Sequence, residues 1–132
     1  MRIDVHAHYF HPEYLACAER LLGRDSVVPA TRAPGTPLTL PQIVELMDSA
    51  EVDLQVLSVS AIQPYAAREA DAVTAARLAN DLYADIVRQY PGRFAAFGCV
   101  PLPHVDAAIA EAARCLDSLG MVGITTGCSV AG

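Results

Sequence analysis

Lysine and tryptophan are absent from this 132-residue chain. All nine basic residues are therefore arginines, and 15 acidic residues outnumber them, which leaves a net charge of -6. Aromatic residues make up only 6% of the chain. Binding to nucleic acid usually needs a basic surface for phosphates and aromatic rings for bases. The composition therefore argues against a nucleic-acid partner.

Long apolar runs and closely spaced cysteines are also absent. No segment approaches the roughly 18 apolar residues that cross a bilayer. The first residues lack the basic-then-apolar pattern of a signal peptide. We therefore expect no membrane association and a cytoplasmic location. Cys17, Cys99, Cys115 and Cys128 form no C-x-x-C pair, which predicts reduced and mostly buried thiols.

Apolar residues are abundant for a chain of this length. They make up 53% of the sequence, and the mean hydropathy is +0.30. A chain of 132 residues forms one domain at most, with a real core. The excess apolar surface predicts burial against additional protein.

Apolar periodicity and turn residues predict strands alternating with helices. Thr39 and Gln42 have the spacing of a helix-capping box. Segment 94–100 is apolar throughout, which predicts a parallel strand buried on both faces. Segment 24–38 has no periodicity, three prolines and one glycine, which predicts a long irregular loop. The predicted strands are 3–8, 54–59, 94–100 and 121–125, and the predicted helices are 12–22, 40–51, 68–90 and 104–119. This order is typical of an α/β protein with a parallel sheet.

The clearest candidate for chemistry is the His6-x-His8 pair in the first strand. Alternate residues of a strand project to the same side, so both imidazoles should lie together. Two imidazoles so placed are suited to binding one divalent metal. Zinc usually takes three or four protein ligands, however. Two histidines close in sequence also arise by chance, which leaves a purely structural interpretation open.

The chain resembles the amidohydrolase superfamily, and within it amidohydrolase family 2, the branch of aminocarboxymuconate-semialdehyde decarboxylase. The resemblance covers nearly the whole chain and depends on the order and spacing of several motifs. These are Ile3-Asp4-Val5-His6-Ala7-His8, Met47-Asp48 with Asp53-Leu54-Gln55-Val56-Leu57-Ser58, Asn80-Asp81 with Tyr90-Pro91-Gly92-Arg93-Phe94, and Leu119-Gly120-Met121-Val122-Gly123-Ile124.

The resemblance implies the N-terminal half of a TIM (β/α)8 barrel, with residues 1–132 forming its first four strands. Complete barrels of this kind have about 250 residues. His6 and His8 would be the first two metal ligands, with zinc as the expected metal. The family's remaining ligands and its catalytic histidine follow later strands, so no catalytic residue is assigned in this chain. His11 and His104 are expected to lie at helix starts rather than to replace those ligands.

By the same resemblance, the substrate is a small carboxylated, often aromatic-derived acid. The reaction is either decarboxylation or hydrolysis, and the branch resembled favours decarboxylation. Tyr9, Phe10, Arg32 and Thr125 are candidate substrate-binding residues by position, although a solvated loop is the simpler interpretation for any single arginine. Further candidates at strand ends or in the loop are Ser58, Ser60, Thr126 and Arg24. Asn80-Asp81 is expected to act structurally, in helix packing or loop anchoring.

A half-barrel would leave two open sheet edges and an exposed apolar layer. We therefore expect a partner, either the remaining half of the barrel or a second copy of the chain. Two functional hypotheses stay open at this point. One is a metal-dependent enzyme whose site is completed elsewhere, and the other is an inactive half-barrel or oligomerising scaffold.

Overall fold

The computed structural model describes residues 1–23, Val27 and residues 37–130. Predicted loop 24–38, including Arg24 and Arg32, lies almost wholly outside the described residues. The elements, in chain order, are β1 Ile3–Ala7, α1 Pro12–Leu22, α2 Leu40–Ser49, β2 Leu54–Leu57, α3 Glu69–Gln89, β3 Phe94–Cys99, α4 Val105–Asp117 and β4 Gly123–Thr125. The predicted alternation of strands and helices is confirmed, and no predicted end differs from the observed one by more than two residues.

The four strands form one parallel sheet in the order β1-β2-β3-β4. Consecutive strands are therefore neighbours, and helices make the connections, as in a β/α barrel. The pairing of β1 with β2 shifts its register between Asp4 and Ala7. This irregularity falls in the segment that carries the first histidine.

The main core lies between the sheet and the helices α1 and α3. Tyr14 of α1 is 1% exposed, and its hydroxyl donates to the carbonyl of Ile62, 2.6 Å away, in the loop after β2. Tyr83 of α3 donates in the same way to the carbonyl of Tyr9, 3.0 Å away, after β1. Two buried phenols therefore fix the loops at the carboxyl ends of the first two strands.

Strand β3 is less buried on one face than on the other, so the prediction of burial on both faces is confirmed only in part. Phe94, Ala96 and Gly98 are buried, whereas Ala95 and Phe97 are partly exposed. Helices cover the first face so closely that a Cβ on Gly98 would lie 2.7 Å from the Cys115 sulfur. Cys99, at the end of the strand, is buried as well, so the incomplete burial is confined to Ala95 and Phe97.

The helical spacing of Val105, Ile109 and Leu116 predicts a buried apolar stripe on helix α4, but the structure buries a different face. Val105, Ile109 and Leu116 are 60%, 65% and 48% exposed, while Ala108 and Cys115 are buried. The helix places its small residues against β3, because α4 and β3 approach each other so closely at Gly98 that larger side chains would not fit. The larger apolar side chains are left about half exposed or more.

A polar network joins α3, α4 and the end of β3. Asn80 is fully buried, and its amide donates to the Cys99 carbonyl at 2.9 Å and to Glu111 Oε1 at 2.7 Å. Its oxygen accepts from the Cys99 backbone N–H at 2.9 Å. Arg114 holds the buried Glu111 carboxylate through two hydrogen bonds, of 2.9 and 2.7 Å. The predicted structural role of Asn80 is confirmed.

The cysteines are all free, and Cys17, Cys99 and Cys115 are buried while Cys128 is exposed, as predicted. No described helix is both long enough and apolar enough to cross a membrane.

Candidate metal centre

His6 and His8 lie side by side at the carboxyl end of β1. Their Nε2 atoms are 3.2 Å apart, and their ring centroids are separated by 4.8 Å. Two imidazole nitrogens bound to one zinc ion at about 2.0–2.1 Å, in tetrahedral geometry, would lie about 3.4 Å apart. The observed separation therefore fits a shared divalent cation. His6 is exposed and His8 is partly buried.

The backbone directly after the neighbouring strand favours one tautomer of His8. Its Nδ1 atom lies 3.0 Å from the carbonyl oxygen of Ser58, the residue directly after β2. A carbonyl oxygen can only accept, so Nδ1 carries the hydrogen and donates it. In the neutral ring Nε2 then has a free lone pair, directed towards His6. Outer contacts of this kind orient histidine ligands in metal sites.

Asp4 contributes to the site as a backbone support. One carboxylate oxygen accepts from the backbone N–H of His6 at 3.0 Å, and the other accepts from the side-chain amide of Gln55 at 3.2 Å. These contacts span the register shift between β1 and β2. They hold the strand where its pairing is irregular, and so they position His6.

Two aromatic residues follow the pair, and only one of them contacts it. The Phe10 ring stacks on His8 with centroids 5.8 Å apart and planes at 14°. The Tyr9 ring instead contacts the His11 ring, with centroids 6.1 Å apart, and also packs against the core. The structure therefore brings Phe10, but not Tyr9, to the histidine pair.

The other two histidines have local structural contacts. His11 is the N-cap of α1, and its Nδ1 accepts from the Glu13 backbone N–H at 3.2 Å. His104 lies at the start of α4, as expected, in the N-cap position. Its side chain, however, makes no capping hydrogen bond. Its Nε2 instead donates to the Ala66 carbonyl, 2.9 Å away. In the described part of the chain, no group of three or more His, Cys, Asp or Glu side chains could hold a metal ion.

The remaining residues that the sequence offers for the site lie in different parts of the chain. Thr125 ends β4, is half-buried, and pairs with Cys99 of β3. Arg32 lies outside the described residues. Ser58 contacts His8 through two groups. The oxygen of its hydroxyl, the predicted candidate group, lies 3.3 Å from His8 Nδ1. Its backbone carbonyl oxygen is closer to the same atom, at 3.0 Å. No side-chain pattern could have revealed a backbone acceptor.

A four-stranded parallel β/α sheet in this order is typical of the N-terminal portion of a TIM barrel, and the histidine pair lies at the carboxyl end of its first strand. The model of the Amidohydrolase family, Amidohydro_2, matches residues 3–132. The chain therefore belongs to the amidohydrolase family, which confirms the resemblance seen in its motifs.

Known relatives agree with this assignment. The chain is 36% identical over 90 residues to 2-amino-3-carboxymuconate-6-semialdehyde decarboxylase of Dictyostelium discoideum, covering 67% of this chain and 25% of that protein. It is 35% identical over 117 residues to gamma-resorcylate decarboxylase of Rhodococcus jostii, covering 84% and 35%. The chain thus spans about a quarter to a third of the curated relatives it matches.

A solved structure matches across nearly the whole chain. It is dihydroxybenzoic acid decarboxylase from Polaromonas sp. JS666 with bound manganese and the inhibitor 2-nitroresorcinol. The TM-score is 0.71 at 29% identity, covering 93% of this chain and 37% of that one. The four-stranded unit therefore corresponds to part of a larger metal-containing enzyme.

Proposed function

We propose that this chain supplies the first two ligands, His6 and His8, of a divalent metal site in a decarboxylase of small aromatic carboxylates. The observation that carries the proposal is the 3.2 Å separation of the two Nε2 atoms. It is supported by the hydrogen bond that His8 donates to the Ser58 carbonyl, which frees His8 Nε2 for a ligand. The named activities of the relatives are all decarboxylations.

Two imidazole donors favour zinc over harder cations, in line with the sequence expectation. The Polaromonas relative carries manganese, so metal analysis has to include both ions. When bound, the metal would supply Lewis-acid stabilisation of negative charge on a substrate oxygen. The part played by this chain is to orient His8 through Ser58 and to hold His6 through Asp4.

Among the proposed substrate-binding residues, Phe10 has the strongest support. Its ring lies parallel to His8 and extends the metal-binding edge with an apolar, planar surface. Such a surface suits the ring of an aromatic acid. Tyr9, Arg32 and Thr125 stay predictions. Decarboxylation is proposed over hydrolysis because the matched relatives are decarboxylases.

The proposed site needs additional protein, because two ligands are too few for a catalytic metal. We propose that polypeptide carrying the remaining strands of a barrel packs against the edge strands β1 and β4 and against the stripe of α4. Val5 of β1 is 65% exposed, and so is Ile109 of α4. Exposed apolar residues on an edge strand and on a neighbouring helix are typical of a surface that other protein covers. The buried free cysteines fit a cytoplasmic setting.

Metal binding to the purified chain tests the proposal. Isothermal titration with zinc or manganese should show one site per chain, and His6→Ala or His8→Ala should abolish it. His11→Ala is the matched control, because His11 caps α1 and does not contact the pair. Wild type that takes up neither metal would favour an inactive scaffold. Equal binding by wild type and His6→Ala would place the metal elsewhere.

A further inference from the structure

A buried tyrosine of α3 contacts the backbone directly after His8. Residues 8–11 link β1 to α1 and belong to neither element. The hydroxyl of Tyr83 donates to the carbonyl of Tyr9, 3.0 Å away, although the two residues are 74 positions apart in the chain. Tyr83 therefore pairs a carbonyl that lies outside the hydrogen-bond ladder of the sheet and outside helix α1.

The position of the Tyr83 hydroxyl is fixed by the core. Its side chain is 2% exposed and belongs to the main hydrophobic cluster. Burial raises the pKa of the phenol well above its usual range, so the hydroxyl keeps its proton and can donate. Separating this donor from its acceptor would leave a buried polar group unpaired, which costs free energy. The contact therefore holds the Tyr9 carbonyl in one orientation.

The orientation of that carbonyl determines where Phe10 begins. The peptide between Tyr9 and Phe10 is planar, so fixing its carbonyl also fixes the backbone N–H of Phe10. The chain is held again at His11, whose carbonyl accepts from the Leu15 N–H at 3.0 Å in the first turn of α1. Phe10 is therefore held on both sides, by Tyr83 before it and by the helix after it.

Phe10 in turn restricts the ring of His8. The two rings are stacked, with centroids 5.8 Å apart and planes at 14°. The hydrogen bond to the Ser58 carbonyl fixes only one atom of the imidazole, Nδ1. A ring fixed at one atom can still tilt about it, whereas a flat surface against one face opposes that tilt. The two contacts together set the direction of Nε2.

We propose that Tyr83 is a positioning residue for His8: its hydroxyl, through the Tyr9 carbonyl, holds the Phe10 ring against the imidazole and so directs Nε2 towards His6. The consequence for metal affinity rests on the proposed function, whereas the effect on the ring contact does not.

A second buried phenol provides a matched control. Tyr14 is 1% exposed and donates to the Ile62 carbonyl at 2.6 Å, in the loop after β2. Tyr83→Phe and Tyr14→Phe each keep the aromatic ring and remove one buried hydrogen bond. Both should therefore lower the urea midpoint by a similar amount. Any effect on His8 that is confined to Tyr83→Phe is then separate from a general loss of stability.

The ring contact is measured by NMR on the metal-free chain. Nuclear Overhauser effects between the ring protons of Phe10 and His8 should be present in wild type and in Tyr14→Phe. They should be largely lost in Tyr83→Phe, because the peptide before Phe10 is no longer held. Equal effects in all three chains would overturn the proposal.

Zinc affinity measured by calorimetry gives the second readout. Tyr83→Phe should weaken binding about threefold to tenfold, because it acts on the ligand through Phe10, and direct outer partners account for roughly 10- to 100-fold. Tyr14→Phe should change the affinity by less than about twofold. Equal losses in the two variants, or no loss in Tyr83→Phe, would overturn the proposal.

A double-mutant cycle tests the route through Phe10. Phe10→Leu removes the stacked ring and should weaken zinc binding at least as much as Tyr83→Phe does. The double variant should bind as weakly as Phe10→Leu alone, because Tyr83 then has no ring to position. Additive losses would overturn the proposed route. Wild type that binds no zinc would refute the proposed function only, since the ring contact of the metal-free chain still decides the role of Tyr83.

Discussion

Nδ1 of His8 donates a hydrogen bond to the carbonyl oxygen of Ser58, which lies 3.0 Å away, directly after the neighbouring strand β2. This contact lies just beyond Ala7 and Leu57, the last paired residues of β1 and β2. It selects the tautomer in which His8 Nε2 is free to bind a metal. The parallel sheet, rather than a side-chain partner, therefore prepares the second ligand.

Removing the Ser58 hydroxyl should leave the metal site intact. The orienting acceptor is the backbone carbonyl, which Ser58→Ala retains, while the hydroxyl oxygen lies farther from Nδ1, at 3.3 Å. Zinc affinity measured by calorimetry should change by less than about threefold. Loss of an essential outer partner usually costs roughly 10- to 100-fold. A loss of that size in Ser58→Ala would show that the hydroxyl, and not the carbonyl, orients the ring.

Asn80→Ala should destabilise the chain by about 2–4 kcal/mol. The substitution leaves the backbone N–H and carbonyl of Cys99 without the partners that Asn80 provides, in a fully buried position. The neighbouring Asp81→Ala is the control, since Asp81 makes an exposed ion pair with Arg114 and should cost below about 1 kcal/mol. Urea unfolding followed by circular dichroism measures both values. Equal effects would contradict the structural role of Asn80.

Alkaline pH should weaken the fold through its buried thiols. Burial, aided by the nearby Glu111 carboxylate, raises the pKa of Cys115 to about 11. Burial also raises the pKa of Cys99. The unfolded thiol loses its proton near pH 8.5, so the folded state binds more protons above that pH. Stability is therefore full below the unfolded pKa and declines as pH rises towards 11.

Urea midpoints measured from pH 8 to 10.5 should fall accordingly, by the equivalent of roughly 1–2 kcal/mol from Cys115. Cys115→Ser should flatten this dependence. Cys128→Ser should not, because Cys128 is exposed. Identical slopes in the two variants would mean that Cys115 does not contribute.

The exposed stripe of α4 should govern association rather than folding. Ile109 is 65% exposed, so Ile109→Glu should leave the urea midpoint of the chain nearly unchanged. It should reduce self-association, or binding to polypeptide that carries the remaining strands, as measured by light scattering after gel filtration. Ala110→Glu is the control, since Ala110 is also exposed but lies about 100° around the helix from Ile109. Equal effects of both substitutions would exclude the stripe as an interface.

Local patterns were sufficient to predict most of the fold. The sequence predicts helix 12–22 with its observed ends, because proline is favoured at the first helical position and glycine directly after the last one. In the structure Gly23 has a positive φ of 95°. The alternation of β-strands and helices indicated a parallel sheet before any contact was known. Burial was harder to predict, as Phe97 and Ile109 show, because it depends on which elements are available to cover each face.

The sequence by itself determined the element order and the family. It also determined that His6 and His8 are adjacent, because alternate residues of a strand project to the same side. The tertiary structure decided which groups support the pair. The Ser58 carbonyl and the side-chain amide of Gln55 belong to a segment about 50 residues from the first strand. Hydrogen-bond partners of this kind depend on strand register and loop placement, which local periodicity does not encode.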